Sequence, residues 1–188
     1  MKKKIAVTNK TAMPAVNRHK NIVVIFTGGT ISMTVNTDTF AAVPSLSSND
    51  IISLVDHIKG FADLELIDFS AIPGPHMTPE KMMELRSLVE NKINEKHIDG
   101  AVITHGTDNL EETAFLLDLT LKNKKPVIVT GSMRNASELG YDGPSNLASA
   151  ILTAIDNSSY GRGVLVVLND DASTDRIRLL KIKLNRYS

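Results

Sequence analysis

Short apolar-rich runs recur along this chain at intervals filled by segments of helical period, and that alternation narrows the possible folds more than any other property of the sequence. The runs are Ile22 to Phe26, Leu64 to Phe69, Ala101 to Thr104, Val127 to Thr130 and Val164 to Leu168. Runs this short predict strands buried on both faces, as in a parallel sheet. Between them, Asp50 to Lys59, Thr78 to Lys96, Leu110 to Leu121 and Asn146 to Asp156 carry apolar residues at three- and four-residue spacing, which predicts covering helices. Thr78 fits an N-cap, with Pro79 at the first helical position and Glu80 in the first turn. The series predicts a three-layer, doubly wound α/β domain with a mostly parallel sheet. A chain of 188 residues holds one such domain and is too short for two of ordinary size.

The segments after the strands carry the chemistry. In an open parallel sheet, ligands bind beyond the carboxyl ends of the strands, near the point where the winding reverses. Ile22 to Phe26 runs into Thr27-Gly28-Gly29-Thr30-Ile31, Ala101 to Thr104 into His105-Gly106-Thr107-Asp108, and Val127 to Thr130 into Gly131-Ser132-Met133-Arg134. All three therefore fall on one edge. Thr30 is a candidate nucleophile, because Gly28 and Gly29 allow close backbone approach to a ligand and their N–H groups could form an oxyanion hole. A threonine hydroxyl reacts only when a base or cation activates it. Each feature has a plainer reading: the glycines as a strand-to-loop turn, and Asp108 as N-cap of the helix from Leu110.

Composition removes other classes. With 21 basic and 21 acidic residues, the chain has no global field for nucleic acid or an anionic membrane, so a small molecule is the expected partner. There is no cysteine, hence no thiol catalysis, thiolate metal site or disulfide. Residues 1–20 are basic and lack the continuous apolar stretch of a signal peptide; they are expected to be a disordered arm. No run is long enough for a membrane helix, and the expected compartment is the cytoplasm. His76 and His105 stand without a second ligand pair at metal spacing, so no metal is assigned. No cofactor is expected, since neither a Walker A nor a G-x-G-x-x-G pattern follows a strand.

Taken together, the motifs resemble those of the bacterial-type L-asparaginase family. TGGTI and HGTD-x-x-E-E-T match Thr27 to Ile31 and His105 to Thr113; Gly131 to Arg134, Asp142-Gly143-Pro144 with Asn146-Leu147, and Gly163 to Asp170 match three further elements in the family's order. The resemblance covers residues 21–170. It implies hydrolysis of L-asparagine to L-aspartate and ammonia through a threonine nucleophile, with Thr30, Thr107 and Asp108 catalytic. It also implies a substrate surface of Gly29, Gly74, Pro75, Gly106, Asp108, Ser132 and Met133. Asp108 would accept the substrate's α-ammonium group, and the loop from Ile72 to Met77 would hold its α-carboxylate.

The departures matter as much. Gly74 stands where similar sequences often have serine, and no tyrosine lies between Ser32 and Leu46. After Asp170 the family continues with E-x-H-x-A-R-x-V-T-K-T and a second domain; this chain reads DASTDRIRLLKIKLNRYS. The activating lysine's place falls on Leu180, with Lys181 one residue late. Residues 171–188 are thus expected to be a non-family tail left by a truncation or frameshift, with the second domain missing. The resemblance implies a homo-oligomer, but a chain without that domain is expected to expose apolar patches and associate irregularly. The alternative function is an inactive remnant that binds the amino acid or joins intact subunits. An asparaginase-like subunit of a tRNA-dependent amidotransferase fits less well, since the expected additional N-terminal domain has only a short arm to correspond to it.

Overall fold

The structure, a computed structural model, describes residues 19–168 and 171–173. The expected arm up to residue 18, and Leu180 and Lys181, lie outside the described residues. In chain order the elements are β1 (Lys20–Gly28), a hairpin of β2 (Met33–Val35) and β3 (Ala42–Pro44), α1 (Ser48–Ser53), β4 (Ala62–Ile72), α2 (Pro79–Asn94), β5 (Gly100–Thr104), α3 (Leu110–Thr120), β6 (Val127–Thr130), α4 (Gly143–Ile155), β7 (Val164–Leu168) and β8 (Asp171–Ser173).

The main sheet has the order β4-β1-β5-β6-β7-β8. Its strands are parallel from β4 to β7, and β8 returns antiparallel on β7. Alternate side chains of the strands feed two cores. Val23, Ile25, Ala101, Ile103, Val127 and Val129 pack against Leu85, Val89 and Ile93 of α2 and Leu110, Ala114 and Leu117 of α3. Ile22, Val24, Phe26, Val102, Ile128 and Leu165 pack against Ile51 and Ile52 of α1 and Leu147, Ala150 and Ile151 of α4. This is the expected three-layer α/β domain. Ile25 and Ile103 are fully buried, and each such side chain stabilises by about 2 to 3 kcal/mol relative to exposure.

Two expectations need correction. Leu64 to Phe69 is not buried on both faces: β4 is an edge strand, and its pattern is mostly half-buried. The expected helix over Asp50 to Lys59 ends at Ser53 and gives way to a 3-10 turn over Asp56–Gly60. Bonds from Leu54 N–H to the Ile51 carbonyl and from Val55 N–H to the Ile52 carbonyl tighten the chain there. That tightening lets Ile52, Val55 and Ile58, spaced by three, all turn inward. Thr78 is the N-cap of α2, accepting from the Lys81 N–H, with Pro79 opening the helix.

Candidate active site

The strand order places the winding reversal between β1 and β5: the chain passes from β1 outward to β4, then crosses back to β5 and continues the other way. This is the 2-1-3-4-5 arrangement of a doubly wound sheet, with a crevice at the carboxyl ends of its first and third strands. The Thr30 turn and the Thr107-Asp108 loop leave those two strands.

Where the strands end, hydroxyls tie their last carbonyls together. Thr27 Oγ1 donates to the Thr104 carbonyl at 2.8 Å, Ser70 Oγ to the Thr27 carbonyl at 2.7 Å, and Thr130 Oγ1 to the Val167 carbonyl at 2.7 Å. The first threonine of TGGTI is therefore scaffold. Beyond these ties the loops touch through glycine backbones. A Cβ added to Gly29 would come within 2.5 Å of Gly106 Cα, one added to Gly106 within 2.5 Å of Gly74 Cα, and one added to Gly131 within 2.6 Å of the His105 carbonyl oxygen. Contact this close brings the β1, β4, β5 and β6 loops to a single junction.

Thr30 is half-buried at the start of a 3-10 turn over Thr30–Ser32. Thr107 is half-buried, its methyl group beside Gly131, and Asp108 is exposed with its carboxylate against Gly74. Among the described residues, neither the Thr30 nor the Thr107 hydroxyl has a hydrogen-bond partner. Asp108 is not the N-cap of α3; Asn109 holds that position, without a side-chain capping bond. Asn109 instead donates from Nδ2 to the Met77 carbonyl at 3.2 Å, which ties the loop after β4 to the start of α3.

The oxyanion-hole expectation fails at one of its two donors. Gly29 N–H donates to the Ile72 carbonyl at 3.1 Å, because the pairing of β1 with β4 continues past a bulge at Phe26 and Gly28. In the 73–77 loop, His76 and Met77 commit their N–H groups to the turn and Pro73 and Pro75 have none, which leaves Gly74 as its donor.

Ser132 and Met133 belong to a second arrangement. Ser132 is fully buried, and its hydroxyl donates to Asp142 Oδ1 at 2.7 Å. The Met133 and Arg134 N–H groups donate to the same carboxylate, each at 3.0 Å. Asn146 Nδ2 joins them at 2.9 Å and also reaches the Gly131 carbonyl at 3.0 Å. The Ser132 hydroxyl is thus turned into the scaffold, while the Met133 side chain is exposed at the edge. Burial by itself would raise the Asp142 carboxyl, but the N–H of Met133, the Ser132 hydroxyl and the N–H of Arg134 together hold it below the ordinary carboxylate range. Adjacent Tyr141 donates its hydroxyl to the Ile31 carbonyl at 2.5 Å, clasping the turn that begins at Thr30. Burial, then the Asp142 charge, pushes its phenol up to about 12. No spacing rule singles out Tyr141 in the sequence.

His105 is fully buried. Its Nδ1 lies 2.8 Å from the Gly106 carbonyl oxygen and its Nε2 2.9 Å from Thr113 Oγ1. A carbonyl can only accept, so this network places the proton on Nδ1, and Nε2 accepts from the hydroxyl. Burial pushes the imidazole below its ordinary value, against the opposing effects of the Gly106 carbonyl, Asp108 and Glu112. Both Asp142 and His105 therefore bind protons more readily unfolded than folded, and acid must destabilise the domain. Thermal melts should lose stability first below about pH 6.5, as unfolded histidine protonates, and again below about pH 4, as Asp142 does. Asp142→Asn should flatten the lower limb; an unchanged lower limb would remove Asp142 from this account.

A cleft of about 480 Å³ opens on the α1 side of the β1 turn, with Gly28, Ser32, Asp68, Ser70 and Thr104 on its wall. Thr30, Thr107 and Asp108 do not line it. Glu65, Glu95 and His97 form a potential metal-ligand group among the described residues, but Lys92 Nζ stands 2.7 Å from Glu65 and 3.0 Å from Glu95, bridging the two carboxylates and offsetting one of their two charges.

Fold and edge together define an open α/β domain whose loops after β1, β4, β5 and β6 meet at the winding reversal. The chain belongs to the asparaginase family: the family model for the asparaginase N-terminal domain matches residues 21–182. It is 37% identical over 169 residues to a probable periplasmic L-asparaginase of Haemophilus influenzae, covering 89% of this chain and 46% of that protein. To L-asparaginase 2 of Bacillus subtilis it is 35% identical over 182 residues, covering 93% and 48%. The crystal structure of a probable cytoplasmic L-asparaginase from Campylobacter jejuni superposes with a TM-score of 0.75 at 34% identity, over 80% of this chain and 46% of that one. The chain spans about half the length of the relatives it matches. Among the described residues, no helix is long and apolar enough to cross a membrane.

Proposed function

We propose that this chain carries asparaginase chemistry, hydrolysing the side-chain amide of L-asparagine to L-aspartate and ammonia through an ester on Thr30. Thr30 Oγ1 attacks the amide carbon; the amide nitrogen takes up a proton and leaves as ammonia, and water then cleaves the ester to free the aspartate. Asp108 receives the substrate's α-ammonium group, and Thr107 assists proton transfer from the loop beside it. The carrying observation is the glycine junction, which sets the loops bearing Thr30, Thr107 and Asp108 against one another.

The exposed Met133 and Leu139 both lie in the segment that follows β6 at this edge, which supports association through it. A cytoplasmic location matches the name of the Campylobacter jejuni protein, whereas the Haemophilus influenzae relative is named periplasmic. A second reading, an inactive chain that binds the amino acid or joins intact subunits, is favoured by Leu180 standing at the place of the family's lysine. Ammonia release from L-asparagine by the purified chain separates the two. Steady turnover above a boiled control supports hydrolysis. No turnover, with saturable binding of L-aspartate by calorimetry, supports the second reading, and absence of both rejects the site.

A further inference from the structure

The cleft on the α1 side of the β1 turn stands apart from Thr30, Thr107 and Asp108, none of which lines it. Its floor is one register row of the sheet, in which Asp68 pairs with Phe26 and Phe26 with Thr104. Leu66, Val24 and Val102, two residues earlier on each strand, pack into the core beneath α1 and α4, so alternation turns the whole row toward that side. All three residues line the cleft, whose volume of about 480 Å³ lies in the range of small-molecule sites.

Hydrogen bonding gives this cleft one electrical sense. The hydroxyls of Ser32, Ser70, Ser48 and Ser47 donate to the Gly29 carbonyl, the Thr27 carbonyl, Asp68 Oδ2 and Asp50 Oδ2. With these protons turned into the protein, the hydroxyls can offer a ligand only oxygen lone pairs. The N–H groups of Ser45 and Leu46 are spent on the Ser32 carbonyl. Asp68 adds a carboxylate whose Oδ1 has no partner among the described residues, and no described lysine, arginine or histidine lines the cleft. Such a wall attracts a cation and repels a carboxylate. Thr104 is fully buried, yet its Oγ1 has no hydrogen-bond partner, a state that buried hydroxyls seldom keep. It stands two strands from Asp68, about 9.6 Å between Cα atoms at ordinary strand spacing. One nitrogen cannot bridge that gap, so a ligand meeting both residues must have two polar ends.

We propose that this cleft binds a small organic ammonium ion of the amino-alcohol class, with its ammonium on Asp68, its hydroxyl on Thr104 and its carbon chain across Phe26. The site is separate from the one assigned to L-asparagine and does not depend on that reading. The test follows backbone amide shifts of the full chain by nuclear magnetic resonance during titration with amino-butanol bearing its two groups at opposite ends. Butylammonium, butanol and butyrate are titrated alongside. The expected result is saturable shifts around Gly28, Ser48 and Thr104 with amino-butanol, weaker binding of butylammonium, and no binding of butanol or butyrate. Asp68→Asn should weaken amino-butanol about tenfold or more. Thr104→Val, which keeps the shape of the side chain, should bring amino-butanol down to the affinity of butylammonium and leave the fold intact. Shifts confined to the loop of Thr107 and Asp108 would place the ammonium at the other site and overturn the proposal. An absence of saturable shifts across the millimolar range, or unchanged affinity in either variant, would overturn it as well.

Discussion

Thr30→Ala is expected to lower ammonia release from L-asparagine by on the order of 10⁴-fold, with a near-wild-type melting curve. Removing an attacking hydroxyl abolishes the covalent route outright, and the residual rate comes only from whatever the remaining groups do for bound substrate. Thr30 is suited to such a test because its hydroxyl has no partner among the described residues and its side chain is half-buried. The loss should therefore appear in kcat, with little change in folding. Thr27→Ala is the informative contrast. Thr27 is buried and donates to the Thr104 carbonyl, so its loss should cost about 1 to 3 kcal/mol of stability. Equal activity in Thr30→Ala and wild type would remove Thr30 from the nucleophile's role.

Gly29→Ala is expected to have the largest effect on stability, about 3 kcal/mol or more, which lowers the melting temperature by roughly 10 °C. Two independent causes add. Gly29 has φ 80° and ψ −178°, a region open almost only to glycine. Its Cβ would also come within 2.5 Å of both Cα and N of Gly106. Neither backbone can turn aside as a flexible side chain would, so the β1 and β5 loops must separate. Ammonia release should fall with stability, because the same displacement parts Thr30 from Thr107 and Asp108. Urea denaturation of the purified variant measures the first effect; a midpoint within 0.3 M of wild type, on the order of 0.5 kcal/mol for a domain of this size, would show that the junction tolerates a methyl group. Gly74→Ala forms the contrasting case, since there the nearest neighbour is the end of an exposed side chain, the Asp108 carboxylate.

The layers of the fold were legible in the residues. Apolar runs such as Ala101 to Thr104 and Val164 to Leu168 coincide with β5 and β7 nearly residue for residue, because a strand covered on both faces favours apolar side chains at nearly every position. The same rule misjudged Leu64 to Phe69, since position in the sheet, here an edge, depends on strands far away in the chain. Helix ends were legible where capping is local, as at Thr78. They were not where burial competes, as at Val55 and Ile58 beyond the end of α1.

For the site, the motifs identified which loops meet, because a turn with glycine and hydroxyl residues directly after a buried strand must lie at the carboxyl edge of a parallel sheet. The roles of individual groups followed from contacts between segments distant in sequence. Asp142 takes the Ser132 hydroxyl out of the candidate substrate surface, the Ile72 carbonyl takes the Gly29 N–H, and Tyr141 reaches back to Ile31 across 110 positions. Sequence order determines which chemical groups can stand at the edge, since the pleat and strand direction dictate where each loop emerges. Which of them remain unbonded and free for a ligand is decided only when the loops pack, because a hydrogen bond forms wherever distance and direction allow, whatever the separation along the chain.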